Sequence, residues 1–139
     1  MPLARGACSS TEARNLLNRS KLPDLVRAGL YLYFSCWREA HDLVDDLETP
    51  DGCYWHAIVH RQEPDAANSA YWFRQTGQHP IFPALRSRAA QIGVDFGPVW
   101  DPFAFIDYCE AARAGSEAER KALEVQRAEW QLLFHHCAR

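Results

Sequence analysis

The stretch Trp55-His56-Ala57-Ile58-Val59-His60-Arg61-Gln62-Glu63 holds the densest set of side chains that could do chemistry. On a helix, residues three and four apart are neighbours, so Cys53, His56, His60 and Glu63 would share one stripe. Imidazole, thiolate and carboxylate are all ligands for a borderline-soft ion such as zinc. Two histidines four apart is the spacing by which one helix offers two imidazoles to one metal, and Glu63 could add an oxygen from the next turn. A metal-bound water would then be the nucleophile of a hydrolase-type enzyme. The metalloprotease pattern is broken at one point: Ala57 stands where its catalytic glutamate would be. The plainer account keeps both histidines as polar residues at the edge of an apolar stripe of Trp55, Ile58 and Val59, hydrogen-bonded to neighbouring carbonyls or carboxylates. His41, Asp45, His79, His135 and His136 are the other candidates for a third or fourth ligand.

A second chemistry is anion binding. Arg61 and Arg74 could make a fork for carboxylate or phosphate, because guanidinium geometry suits bidentate pairing. With Asn68 and His79 they form the candidate ligand-binding set. The competing account gives the arginines ion pairs with Glu63, Asp65 or Glu110, since structural networks imitate functional sites. Arg61 and Tyr54 are expected to point away from the core. No Gly-rich phosphate loop, GxSxG elbow or paired-carboxylate signature occurs. Cys53 lies one turn from His56, and nothing else marks it as a nucleophile.

These residues need a scaffold, and the apolar spacing specifies helices throughout. Ser10 or Thr11 caps a short first helix ending near Arg19. Pro23 opens a long second helix to about Leu47, with Val26, Leu30, Tyr33, Trp37, Ala40, Val44 and Leu47 three and four apart. A second apolar stripe of Leu25, Gly29, Leu32, Cys36 and Leu43 makes that helix the expected core element. Thr49-Pro50-Asp51-Gly52 is a turn cluster. The histidine helix follows and stops at Pro64. Asp65 caps the next helix, whose Ala66, Ala70 and Phe73 share a face, and Gly77 ends it. Pro80 and Pro83 open a helix with Leu85, Ala89 and Ile92 inside. Asp101-Pro102 starts another, with Trp100 and Phe105 placed for a hydrophobic staple. Ser116 and Glu119 form a capping box for the last, whose inner stripe is Leu123, Trp130, Leu133 and Cys137. No segment alternates as a half-buried strand does. The expected fold is an all-α, compact single-domain bundle of about seven helices over residues 1–139, with 1–9 a loose tail. The histidine stripe is expected in a groove at the edge of the packed face.

Composition narrows the class. A chain of 139 residues with 47% hydrophobic and 24% charged residues is long enough to bury a core without a metal or disulfide. A net charge of −3 leaves no footprint for nucleic acid, and no basic block or long apolar run points to a membrane. The five cysteines, Cys8, Cys36, Cys53, Cys109 and Cys137, are odd in number and widely spaced. That spacing predicts no disulfide framework, buried thiols at Cys36 and Cys109, and a cytoplasmic setting without a signal peptide.

The segment Trp55 to Leu85 resembles one helical hairpin of a tetratricopeptide-like repeat, through Asp65, Ala70, Trp72, Phe73, Arg74 and Gly77, followed by His79-Pro80. The resemblance implies a protein-binding scaffold. It occurs once over about a fifth of the chain, while a solenoid needs at least about three units, so the fold is not a solenoid. The run WHAIVHRQEPDAANSAYWFRQTGQHPIF, with the later WDPFAFIDYCE, also resembles a group of uncharacterised microbial helical proteins, which implies no activity. Two functions follow. The first is a non-catalytic binding or interaction module for a protein or small-molecule partner, with no cofactor. The alternative is a hydrolase-type enzyme dependent on zinc or another divalent transition metal, held by His56, His60 and Glu63.

Overall fold

Every residue from Gly52 to Gln62 is buried, which puts one helix at the centre of the molecule. This computed structural model describes residues 1–139. The central helix is α4 (Pro50–Gln62). Around it run α1 (Thr11–Arg19), α2 (Asp24–Tyr33), α3 (Trp37–Val44), α5 (Ala66–Thr76), α6 (Phe82–Ile92), α7 (Pro102–Ala111) and α8 (Glu117–Cys137). The fold is all-α in one domain, and its eight helices are close to the number expected. No helix is long and apolar enough to cross a membrane.

The extra helix comes from a break in the expected long helix Pro23–Leu47. Ser35 sits at φ 60°, in the left-handed region. The Cys36 N–H donates to the Tyr31 carbonyl at 2.8 Å and the Ser35 N–H to the Leu32 carbonyl at 3.0 Å. These paired bonds close a helix C-terminus in the Schellman manner, a position that normally takes glycine. A serine there leaves no trace in the apolar periodicity, which runs on through the break. The two pieces reach different neighbours. In α2, Gly29 lies against α4, where an added Cβ would meet Trp55 Cζ2 at 2.8 Å. In α3, the Trp37 indole donates to the Val59 carbonyl at 2.8 Å.

The core element is therefore α4 and not the α2–α3 stretch. The Thr49-Pro50-Asp51-Gly52 cluster is the opening of that helix: Thr49 is its cap, accepting from the Gly52 N–H, and Pro50 stands in the first turn. Gly52 allows the tight return from α3, since a Cβ there would meet the Leu47 carbonyl oxygen at 2.7 Å. Elsewhere the start signals act as read. Asp65 accepts from the Asn68 N–H, Asp101 from Phe103 and Ala104, and Ser116 from Glu119. Trp100 packs on Phe105 with ring centroids 5.4 Å apart, completing the staple.

Two expectations about the N-terminal segment change. Residues 1–9 have no helix, yet they are tied down. The Arg5 N–H donates to the Gln62 carbonyl at 2.7 Å, and the Gln126 side chain donates to the Met1 and Pro2 carbonyls. Cys8 and Cys36 form a disulfide, so Cys36 is not the free thiol that spacing suggested. The fold brings the N-terminal segment back over the start of α3, and sequence separation carries no record of that return.

Candidate functional site

The antiparallel pair α4 and α5 positions the candidate residues. Ser69 Oγ donates to the Ala57 carbonyl at 2.7 Å, and the His56 ring stacks on Trp72 with centroids 3.9 Å apart. Small residues on α5 allow this approach, and helix α3 covers the same face of α4 from the other side. There His41 joins His56 and His60, with one ring nitrogen of each within 4.8 Å of the others. Trp37 stacks on His41 at 5.1 Å, so two indoles wall the three imidazoles.

The centre is nearly closed. His56 is 2% exposed and His60 5%, while His41 is half-buried. The stripe is thus roofed by α3 and α5, not laid along an open groove. His60 Nδ1 lies 2.8 Å from Glu63 Oε1 and 3.4 Å from the Asn68 amide nitrogen. A carboxylate bonded to Nδ1 fixes the ring orientation and leaves Nε2 with its lone pair. His56 Nε2 lies 3.8 Å from Asp45 Oδ1, and its Nδ1 is buried with no hydrogen-bond partner. Burial, then the neighbouring His60, pushes the His56 pKa down to about 4, against Asp45 pulling it up. Its ring is neutral at pH 7, the form that ligates a metal.

The other candidates go elsewhere. Glu63 is not in the three-histidine group: it holds the His60 ring and groups with His60 and Asp65, so the structure does not place it as the direct oxygen ligand expected beside His56 and His60. Cys53 is buried with Sγ 3.8 Å from the Glu48 carbonyl, and burial, then Glu48, raises its pKa. The thiols of Cys109 and Cys137 are pushed up to about 11 and about 12, mainly by burial. None of the three is a thiolate at neutral pH. His135 is exposed.

Arg61 overturns its expected outward direction. It is 4% exposed, and its guanidinium donates to both Glu129 oxygens, at 2.6 and 3.2 Å, and to Gln126 Oε1 at 3.2 Å. Tyr54, also fully buried, donates its hydroxyl to Glu129 Oε2 at 2.9 Å. Arg61 therefore cannot pair with Arg74, which is exposed. The expected inner stripe of α8 is rotated: Gln126 and Glu129 lie among Ala122, Val125 and Leu133 on its buried side, while Leu123, Trp130 and Cys137 are only partly buried. A buried acid there requires a buried cation.

His79 belongs to a second cluster. Its Nε2 lies 2.6 Å from Asp51 Oδ1, and His136 Nε2 lies 3.2 Å from the same oxygen. The Ile81 N–H donates to His79 Nδ1 at 3.2 Å, which fixes that nitrogen as acceptor and Nε2–H as donor to Asp51. The ring is held by two hydrogen bonds and offers no lone pair to an ion. No protein family, curated protein or solved structure matches this chain.

Proposed function

We propose that this domain is a binding module whose ligand is a divalent transition-metal ion of the zinc class, held by His41, His56 and His60. One observation carries the reading: His41, His56 and His60 bring one ring nitrogen each within 4.8 Å of one another, and His56 has a buried ring nitrogen with no partner. Four other buried nitrogens, Arg27 Nε, Trp55 Nε1, Arg61 Nε and Trp100 Nε1, also lack partners, but all four belong to donor groups, whereas a neutral imidazole among two others can ligate an ion. A tetrahedral zinc with ~2.0 Å bonds sets its nitrogens roughly 3.3 Å apart, within reach of ring rotations. Glu63 orients His60, and Asp45 at the outer edge favours a cation.

Binding is favoured over hydrolysis by where the acids stand. Glu63 is engaged by His60, and Ala57 occupies the place of a metalloprotease base. Trp37 and Trp72 stack on the cluster and His56 and His60 are nearly inaccessible, which disfavours a polymer substrate. Cellular placement follows the Cys8–Cys36 bond: an oxidising compartment keeps it, and the cytoplasm expected from cysteine spacing would hold two thiols. The reading is tested by melting tag-free protein with and without zinc. An ion that binds only the folded state raises the melting temperature in proportion to the logarithm of its concentration. A melting curve indifferent to zinc, cobalt and nickel would remove the reading.

A further inference from the structure

We propose a second site, independent of the histidine centre: a pocket for a phosphoryl oxyanion between the N-terminal segment, α1 and the start of α3. The cavity measures about 360 Å³ and is lined by Arg5, Arg14 and Arg38 around Trp37. Arg5 comes from the N-terminal segment, Arg14 from α1 and Arg38 from the first turn of α3, so three arginines from three elements line one hollow. Glu39 is the one acid in the lining. It lies 4.0 Å from Arg14, at the limit of an ion pair, and leaves the other two cations without a carboxylate.

Two features hold the arginines in place. The Arg5 guanidinium stacks over the Trp37 ring at 4.2 Å, with its edge N–H groups free to donate. The Arg5 N–H is bonded to Gln62, and the Cys8–Cys36 disulfide in the pocket wall pins the same segment. The first turn of α3 adds to the field, because Cys36 supplies no side-chain cap and leaves its opening N–H groups free. Guanidinium forks match phosphate oxygens bidentately. Three forks fit a group with three terminal oxygens, a phosphate or phosphate monoester, better than a two-oxygen carboxylate. The anion binding expected of Arg61 and Arg74 thus falls to a different set of arginines. The size of the hollow suits a small soluble phosphorylated molecule.

Calorimetric titration of the full chain with inorganic phosphate at low ionic strength tests this. The expected result is saturable binding at one site, weakened about tenfold or more in Arg38→Gln and in Arg5→Gln, as for loss of a charged hydrogen bond. Arg38→Lys, which keeps the charge and loses the fork, should bind between the two. Arg88→Gln, on α6 and bonded to Gln131, should bind as the parent does. Because Arg5 and Arg38 are exposed, their variants are expected to fold, and circular dichroism confirms it. Absence of saturable heat, or parent affinity in both glutamine variants, overturns the site. Equal affinity for acetate overturns the phosphoryl class. Sedimentation with phosphatidic acid vesicles in the absence of phosphate heat overturns the soluble ligand.

Discussion

Two faces of α4 carry polar residues at similar density, and they differ in what those residues have left to give. On the face toward α8, Asp51 receives His136 and His79, Tyr54 donates to Glu129, and Arg61 is bidentate on Glu129. On the face toward α3 and α5, three histidines crowd together, and one buried ring nitrogen has no partner. The contrast separates fold from function. Arg61 Nε on the α8 face is also buried without a partner, but it is a donor on a guanidinium already held by Glu129 and Gln126, whereas the open His56 nitrogen belongs to a cluster of possible ligand atoms. The α8 face is a seam, and the histidine face is a candidate site.

Breaking the seam should have the largest effect. Glu129→Ala removes the partner of a fully buried guanidinium, which typically costs ~3–5 kcal/mol in a chemical unfolding titration. The variant that still folds should bind zinc as the parent does, because the seam lies across α4 from the histidines. A cost below ~1 kcal/mol would mean the seam is solvated and the contrast false.

Next is the covalent tie. The Cys8–Cys36 link spans a sequence separation of 28. Restricting the unfolded chain over a loop of that size is worth ~3 kcal/mol. Melts with reductant should therefore fall well below melts without it, and phosphate affinity should fall too as Arg5 is released. Coincident melts would restore the expectation of two inert thiols.

The seam should also show in acid. Burial, against the pull of the Asp51 hydrogen bond and charge, holds the His79 pKa below its ordinary value of 6.5. The unfolded chain therefore takes up its proton first as pH falls. Stability is present above about pH 6.5 and lost below it through this residue. Asp51 and His136 face His79 directly. His79→Gln should flatten the loss between pH 7 and 5 in unfolding titrations, and an unchanged slope would show that His79 is not held neutral.

Ser35→Gly should give the smallest change. It relieves a left-handed residue at the α2–α3 break and should stabilise by ~0.5–1 kcal/mol, net of the added freedom of the unfolded chain. A loss would mean that the Ser35 side chain supports the break.

What the sequence revealed follows the same division. Helix starts were legible at Ser10, Asp65, Asp101 and Ser116, because a cap is a local bond between residues two or three apart. The hairpin and its histidine stripe were legible for the same reason. The break at Ser35 was not, since the left-handed position held no glycine. Nor was the inward turn of Arg61, whose partner Glu129 is 68 residues away. A helix buried on all sides keeps no solvent face, so its polar residues mimic one; that is why Arg61 and Tyr54 were expected outside. His41 was only one of five candidate ligands, because the α2–α3 break decides which way it faces.

The contrast between the faces rests on one claim, that His41, His56 and His60 hold an ion and Asp51, His79 and His136 do not. Equilibrium dialysis of tag-free protein against zinc, followed by metal analysis, tests it directly. One zinc per chain is expected in the parent, in His79→Ala and in His136→Ala, and none in His41→Ala, His56→Ala or His60→Ala, with folding of each variant checked by circular dichroism. No stoichiometric zinc in the parent, or loss of zinc in the His79 and His136 variants instead, would contradict it.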